Sequence, residues 1–300
     1  MRAKLADMGM GMEEPPGEIA PLFAVERARL TGLLRGLAPA DWQRPSPCPG
    51  WTVLGLCTHL VGDDLSYLAR HRDGYLGTPG PDGDGEDEFI AWLDALQAEW
   101  VRAARRLSPR IVIDLLEWAE PQIAGTLRGE DPRARTASVS WAGTGPVPAW
   151  LDQARELSEY WIHRQQLLQA LSRPSDLRPD IAGPVLDALR WAYPFRLGQV
   201  RGEPGDTVAI SVSGPVARTW YVVAVAVPAG WEFRDQPGPR AAASMSMTTE
   251  QAWRLLTNNL PAAGRSGITA SGDETVLGIL FRTRAIIGTP NEGAEPAQTS

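Results

Sequence analysis

Between residues 18 and 37 the apolar side chains Ile19, Leu22, Phe23, Val25, Leu30, Leu33, Leu34 and Leu37 recur at helical spacing. That is the period of a helix with one buried stripe. The same period runs through residues 52–72, 87–107, 108–127 and 148–171. Thr52 and Ser108 stand where the first turns need a capping hydroxyl. Proline and glycine break the pattern between these segments, at Pro39, Pro45, Pro47, Pro49 and Gly50 and again over residues 74–85, which read as a mobile loop. Consecutive helices with one apolar stripe each predict a bundle, and bundles build their sites from side chains that project inward.

After Ser172 the period changes. Residues 180–195 predict one more helix, whereas 207–212 and 218–227 are rich in Val, Ile, Tyr and Trp and read as strands, and 230–233 and 243–248 continue that strand-like pattern. Residues 249–256 and 274–286 return to helix, and a short extended piece is expected at 137–141. The predicted class is therefore an all-α unit followed by a smaller α+β unit. The expected organisation is a disordered tail over 1–17, a helical domain over 18–172, an α+β domain over 178–288 and a disordered tail over 289–300. A chain of 300 residues fits about two domains.

Charge narrows the function classes. The net charge is −7 and no stripe of Lys and Arg exists to neutralise phosphates, which argues against nucleic acid or a basic membrane patch as partner. No run of 18 apolar residues predicts a membrane span, and residues 1–18 lack the apolar core of a signal peptide, so a cytoplasmic protein is expected. Cys48 and Cys57 are too few for a disulfide framework. Lys4 is the only lysine among 29 basic residues, a bias expected of a GC-rich, for example actinobacterial, genome.

Three histidines are present. His163 follows Glu159 by four residues, so both lie on one helical face. If the helix carrying His59 packs beside them, the three form a metal site of two imidazoles and a carboxylate with an open position. By spacing alone, Glu159 and His163 fit a surface ion pair better than a metal site, and His59 fits a hydrogen-bonded core histidine. Asp63 lies one turn after His59 and is either a partner for an imidazole or solvated surface, with Asp64 beside it as a competitor. Arg155 lies one turn before Glu159 and can pair with it, with an anionic substrate or with a surface acid. His71 is expected about 120° around the helix from His59. Cys57 points elsewhere. Cys48 is either a reactive loop thiol or a small buried residue. Trp51, Trp141 and Trp161 are candidates to line a pocket or fill cores, and Arg282 and Arg284 to face a cleft or solvent.

The segment Arg44-Pro45-Ser46-Pro47-Cys48-Pro49-Gly50-Trp51-Thr52-Val53, followed by Leu56 and His59-Leu60, together with Glu159-x-x-x-His163, resembles the mycothiol-dependent maleylpyruvate isomerase family. That family belongs to the wider DinB-like metalloprotein superfamily. The resemblance covers residues 18–172 and extends more loosely beyond them. It implies a DinB-like four-helix bundle and a C-terminal domain resembling sterol carrier proteins. It also implies a divalent metal, usually zinc, held by His59, Glu159 and His163, and an open position for a low-molecular-weight thiol such as mycothiol. The implied activity is transfer of that thiol to a small electrophilic substrate, or isomerisation of it. A thiol-independent metal hydrolase or cyclase of a biosynthetic pathway, and a non-catalytic ligand-binding protein, are the alternatives. The residues name neither the substrate nor the oligomeric state.

Overall fold

The computed structural model describes residues 15, 17–77, 80, 81, 86–226 and 229–285. Apart from Pro15 and Gly17, both expected tails lie outside the described residues, as does part of the expected 74–85 loop.

Five helices make up the first half: α1 (Ala20–Arg35), α2 (Val53–Tyr67), α3 (Glu86–Ala103), α4 (Pro109–Gly129) and α5 (Ala149–Ala170). The Thr52 hydroxyl accepts from the Gly55 N–H at 3.2 Å, and that of Ser108 from Ile111 at 3.4 Å. Such caps contribute about 1 kcal/mol each. α1 packs on α4 and α5, and α2 packs on α3, α4 and α5. Gly62 sets the approach of α3 to α2, because a Cβ there would lie 2.5 Å from the Trp100 indole. The Trp100 N–H in turn donates to the Thr58 carbonyl at 2.6 Å.

The second half contains α6 (Pro179–Leu189), α7 (Ala192–Leu197), β3 (Asp206–Ser213), β4 (Arg218–Ala226), β5 (Ala229–Arg234), β6 (Arg240–Thr248), α8 (Thr249–Leu256), β7 (Thr269–Gly272) and α9 (Glu274–Arg282). A ribbon of β1 (Arg135–Thr136) and β2 (Val147–Pro148) precedes α5. The five-stranded sheet runs β5-β4-β3-β6-β7, with β3 and β6 parallel and the other pairs antiparallel. Ile210 lies opposite both Trp220 and Met245, so the buried positions of three strands share one face.

Four expectations change. The extended piece lies at 135–136 rather than 137–141, because Val139, Trp141 and Ala142 are buried as a turn in the core. The single helix over 180–195 is two: Pro194 has no N–H for the Arg190 carbonyl, and the chain breaks between Leu189 and Ala192. β7 was not expected, since its four residues are small and exposed at the sheet edge. The helix over 274–286 ends at Arg282 within the described residues.

Residues 173–178 carry no helix or strand, and α5 belongs to two cores. Tyr160 and Leu167 pack with Phe23, Leu56, Leu60 and Leu116 of the helical half. Trp150, Leu151, Leu157 and Trp161 join the core of the sheet, where Trp161 meets Trp253 edge to face. α5 is the wall between the halves.

Candidate metal centre

His59 projects from α2 and Glu159 and His163 from α5, and one donor atom from each lies within 4.8 Å of the others. The two imidazole Nε2 atoms are 3.2 Å apart with rings at 81°. Glu159 Oε2 is 3.5 Å from His163 Nε2, and Asp63 Oδ2 is 3.1 Å from His59 Nε2. The Trp51 ring, from the loop before α2, closes one side at 5.0 Å from the His59 ring.

The far side of each imidazole is also held. His59 Nδ1 lies 3.0 Å from Gln97 Oε1, and His163 Nδ1 lies 2.7 Å from Gln166 Oε1. An amide oxygen only accepts, so each Nδ1 carries the hydrogen and each Nε2 turns a lone pair inward. With that tautomer on both rings, lone pairs and carboxylate oxygens converge at 3.1–3.5 Å, an arrangement able to hold a cation at its centre. Two nitrogens about 2.0–2.1 Å from a tetrahedral zinc lie about 3.4 Å apart, which the observed spacing fits. The donor set also suits iron, nickel or manganese.

Without a metal, the protonation pattern reflects the same convergence. Burial, reinforced by the His163 charge, lowers His59 to about 4. Burial alone would lower His163 too, but hydrogen bonds with Cys48 and Glu159 hold it well above the usual histidine range. A proton on His163 thus occupies the gap. Burial would raise Glu159, yet its contact with His163 wins and lowers it. Burial, followed by the Glu159 charge, raises Asp63 to about 8.

Arg155 does not pair with Glu159; it donates to Asp152 at 2.8 Å and Glu156 at 2.5 Å. Of the three candidate tryptophans, Trp51 lies against His59, while Trp141 and Trp161 fill the sheet core. His71 is exposed and stacks on Tyr67 at 4.3 Å. Cys57 is fully buried in the helical core, and burial pushes its thiol up. Cys48 is half-buried and donates to Gln166 Oε1 at 3.3 Å. Arg282 is exposed, and Arg284 is half-buried against Asn258 and two backbone carbonyls. Sequence reasoning missed Gln97 and Gln166. The spacing of Gln166, three residues after His163, was a usable signal; nothing in the sequence links Gln97 to His59, because the approach of α3 to α2 is a tertiary fact.

Residues 23–168 match the sequence profile of the mycothiol maleylpyruvate isomerase N-terminal domain. Over these residues the chain is similar to that family. Among solved structures, the chain is similar to the mycothiol-dependent maleylpyruvate isomerase, with a TM-score of 0.50 and 15% identity over 88% of this chain and 96% of that one. A histidine-to-alanine mutant of the same enzyme matches with a TM-score of 0.51 over the same shares. At that identity the likeness concerns the fold, and it extends past the family domain into the sheet. No curated protein matches the sequence. The three residues on which the family resemblance rests, His59, Glu159 and His163, are the ones that converge.

Proposed function

We propose that the chain is a metal-dependent enzyme of the maleylpyruvate isomerase type. In this reading His59, Glu159 and His163 hold a divalent ion, zinc first, and the position left open takes a low-molecular-weight thiol such as mycothiol. We read α1, α2, α4 and α5 as the DinB-like four-helix bundle, and the sheet unit as a domain of the sterol carrier kind. The observation that carries the metal reading is the pair of Nε2 atoms 3.2 Å apart, each ring backed by a glutamine oxygen at its Nδ1.

A zinc ion in such a site favours the thiolate form of a thiol, the nucleophilic form. The protein's own residues supply the rest. Asp63 lies 3.1 Å from His59 Nε2 on the side away from Gln97 Nε2, to which its other oxygen is tied at 3.0 Å. That carboxylate is placed to take the thiol proton and later return it. Trp51 shields the imidazole edge from water. Isomerisation would have the sulfur bond to an alkene carbon, allow rotation about the resulting single bond, and leave again, so the thiol is not consumed. Transfer would consume it.

The test is metal analysis of the purified protein, followed by thiol titration of the cobalt-substituted form. About one metal per chain and a new sulfur-to-cobalt absorption on adding thiol are expected. If His163→Ala retains both metal and activity, the assignment is wrong. Adding thiol and electrophile with metal present separates a thiol enzyme from a hydrolase or cyclase, which would turn over without the thiol.

A further inference from the structure

The hydrogen bonds behind His163 do not end at Gln166. Gln166 Nε2 donates to Asn259 Oδ1 at 3.0 Å, and Asn259 Nδ2 donates to the Thr257 carbonyl at 2.8 Å and to Thr257 Oγ1 at 2.9 Å. The Thr257 hydroxyl has already given its hydrogen to the Trp253 carbonyl at 2.8 Å. Both Thr257 atoms that face Asn259 are therefore acceptors.

The direction of every bond in the chain follows from that fact. Asn259 must turn its NH2 toward Thr257, which leaves its oxygen toward Gln166. Gln166 must then present its NH2 to Asn259 and its oxygen to His163. Cys48 agrees, since its S–H donates to the same oxygen at 3.3 Å. With an oxygen behind it, His163 must carry its hydrogen on Nδ1 and face the centre with a bare Nε2. A flipped Gln166 would impose the opposite tautomer and point an N–H at the place of the metal.

His59 is set in a different way. Gln97, whose oxygen holds His59 Nδ1, donates its NH2 to Asp63, so this anchor is made within the helical half. The anchor of His163 lies at the end of α8, among the elements that pack with the sheet.

We infer that Gln166 and Asn259 are positioning residues through which Thr257, in the C-terminal half, fixes the tautomer of His163 and so the metal affinity of the helical half. This rests on the metal reading given above. The relay makes the second half part of the metal centre without supplying a ligand, and binding events on that half would be felt at the ion.

The test uses the zinc-loaded full chain and the near-isosteric replacements Gln166→Leu and Asn259→Leu. Chelator competition should show zinc held about 10-fold or more weaker in Gln166→Leu, the usual effect of losing such a partner. Asn259→Leu should weaken it less. The double variant should be no weaker than Gln166→Leu alone, because both break one path. In nitrogen-15 spectra the His163 Nδ1–H should lose its protection in both single variants, while that of His59 stays unchanged. Gln166→Glu, which keeps an acceptor behind His163, should restore zinc affinity. Additive losses, or an Asn259→Leu chain with unchanged affinity and an unchanged His163 signal, would overturn the relay alone. A wild type that binds no zinc would overturn the metal reading together with it.

Discussion

Asp63 and Asp64 are neighbours in sequence and lead into opposite kinds of buried polar cluster. Asp64 points into the helical core, where Arg27 donates to it at 2.6 Å and the Tyr160 hydroxyl donates to its other oxygen. The same guanidinium group lies 4.4 Å over the Tyr160 ring and reaches the Leu116 carbonyl at 2.7 Å. Cation and anion are both present here, although among the described residues Arg27 Nε and Nη1 have no hydrogen-bond partner. Asp63, about 100° further round the helix, enters a cluster of two imidazoles and two carboxylates that contains no arginine. On the metal reading, the difference separates a polar group that specifies packing from one that faces an ion: a buried acid with its own arginine is structural, whereas carboxylates and imidazoles that converge without one are able to take a cation.

The largest effect should come from breaking the closed cluster. Arg27→Met leaves the Asp64 carboxylate buried at 1% exposure with only the tyrosine as donor. Removing one partner of such a pair costs about 3–5 kcal/mol. In a chain of this size that lowers Tm by about 10 °C. Zinc should raise the stability of Arg27→Met and of the wild type by the same increment, because Arg27 contacts no candidate ligand, and so leave the gap between them open. Thermal unfolding with and without zinc checks both statements; a gap that zinc closes or widens would mean the two clusters are not separate.

The open cluster should answer in the opposite way. Zinc at about 100 times its dissociation constant should stabilise the wild type by about 2.7 kcal/mol. His163→Ala should abolish that gain, while its zinc-free form unfolds near the zinc-free wild type. An unchanged response to zinc in His163→Ala would remove the ion from this place.

The contrast also shows what was legible in the sequence. The helices and their caps followed from period and from Thr52 and Ser108, and most strands from β-branched runs. His59, Glu159 and His163 were readable because the helical spacing of one pair met a loop signature before the other residue. Asp63 against Asp64 was not decidable, since both sit on α2 and the choice depends on which neighbour brings Arg27. Gln97, Asn259 and the edge strand β7 were invisible for the same reason. Their roles come from what another element places opposite them.

An intermediate effect tests how packing reaches the site. Gly62→Ala would place a methyl group 2.5 Å from the Trp100 ring and push α3 outward. Overpacking of this kind costs about 1–3 kcal/mol. Because Gln97 rides on α3, zinc affinity should fall along with stability, whereas the Arg27–Asp64 cluster faces α4 and should be spared. Stability lost with zinc affinity intact would show that His59 does not depend on Gln97.

The smallest effect concerns Glu156, which lies on α5 between the two clusters and is 4% exposed. Burial raises it from 4.5 to about 7, although Arg155 pulls it down. An acid whose folded pKa exceeds its unfolded one binds more protons in the folded state between those two values. Its contribution to stability is therefore greatest at low pH and is lost as pH rises from about 4.5 to about 7. Glu156→Gln is neutral throughout and removes that slope. Urea midpoints of the zinc-free protein at pH 5 and pH 8 should differ less in Glu156→Gln than in the wild type. Equal differences would assign the slope to another acid, with Asp63, raised to about 8 on the open side, the next to replace.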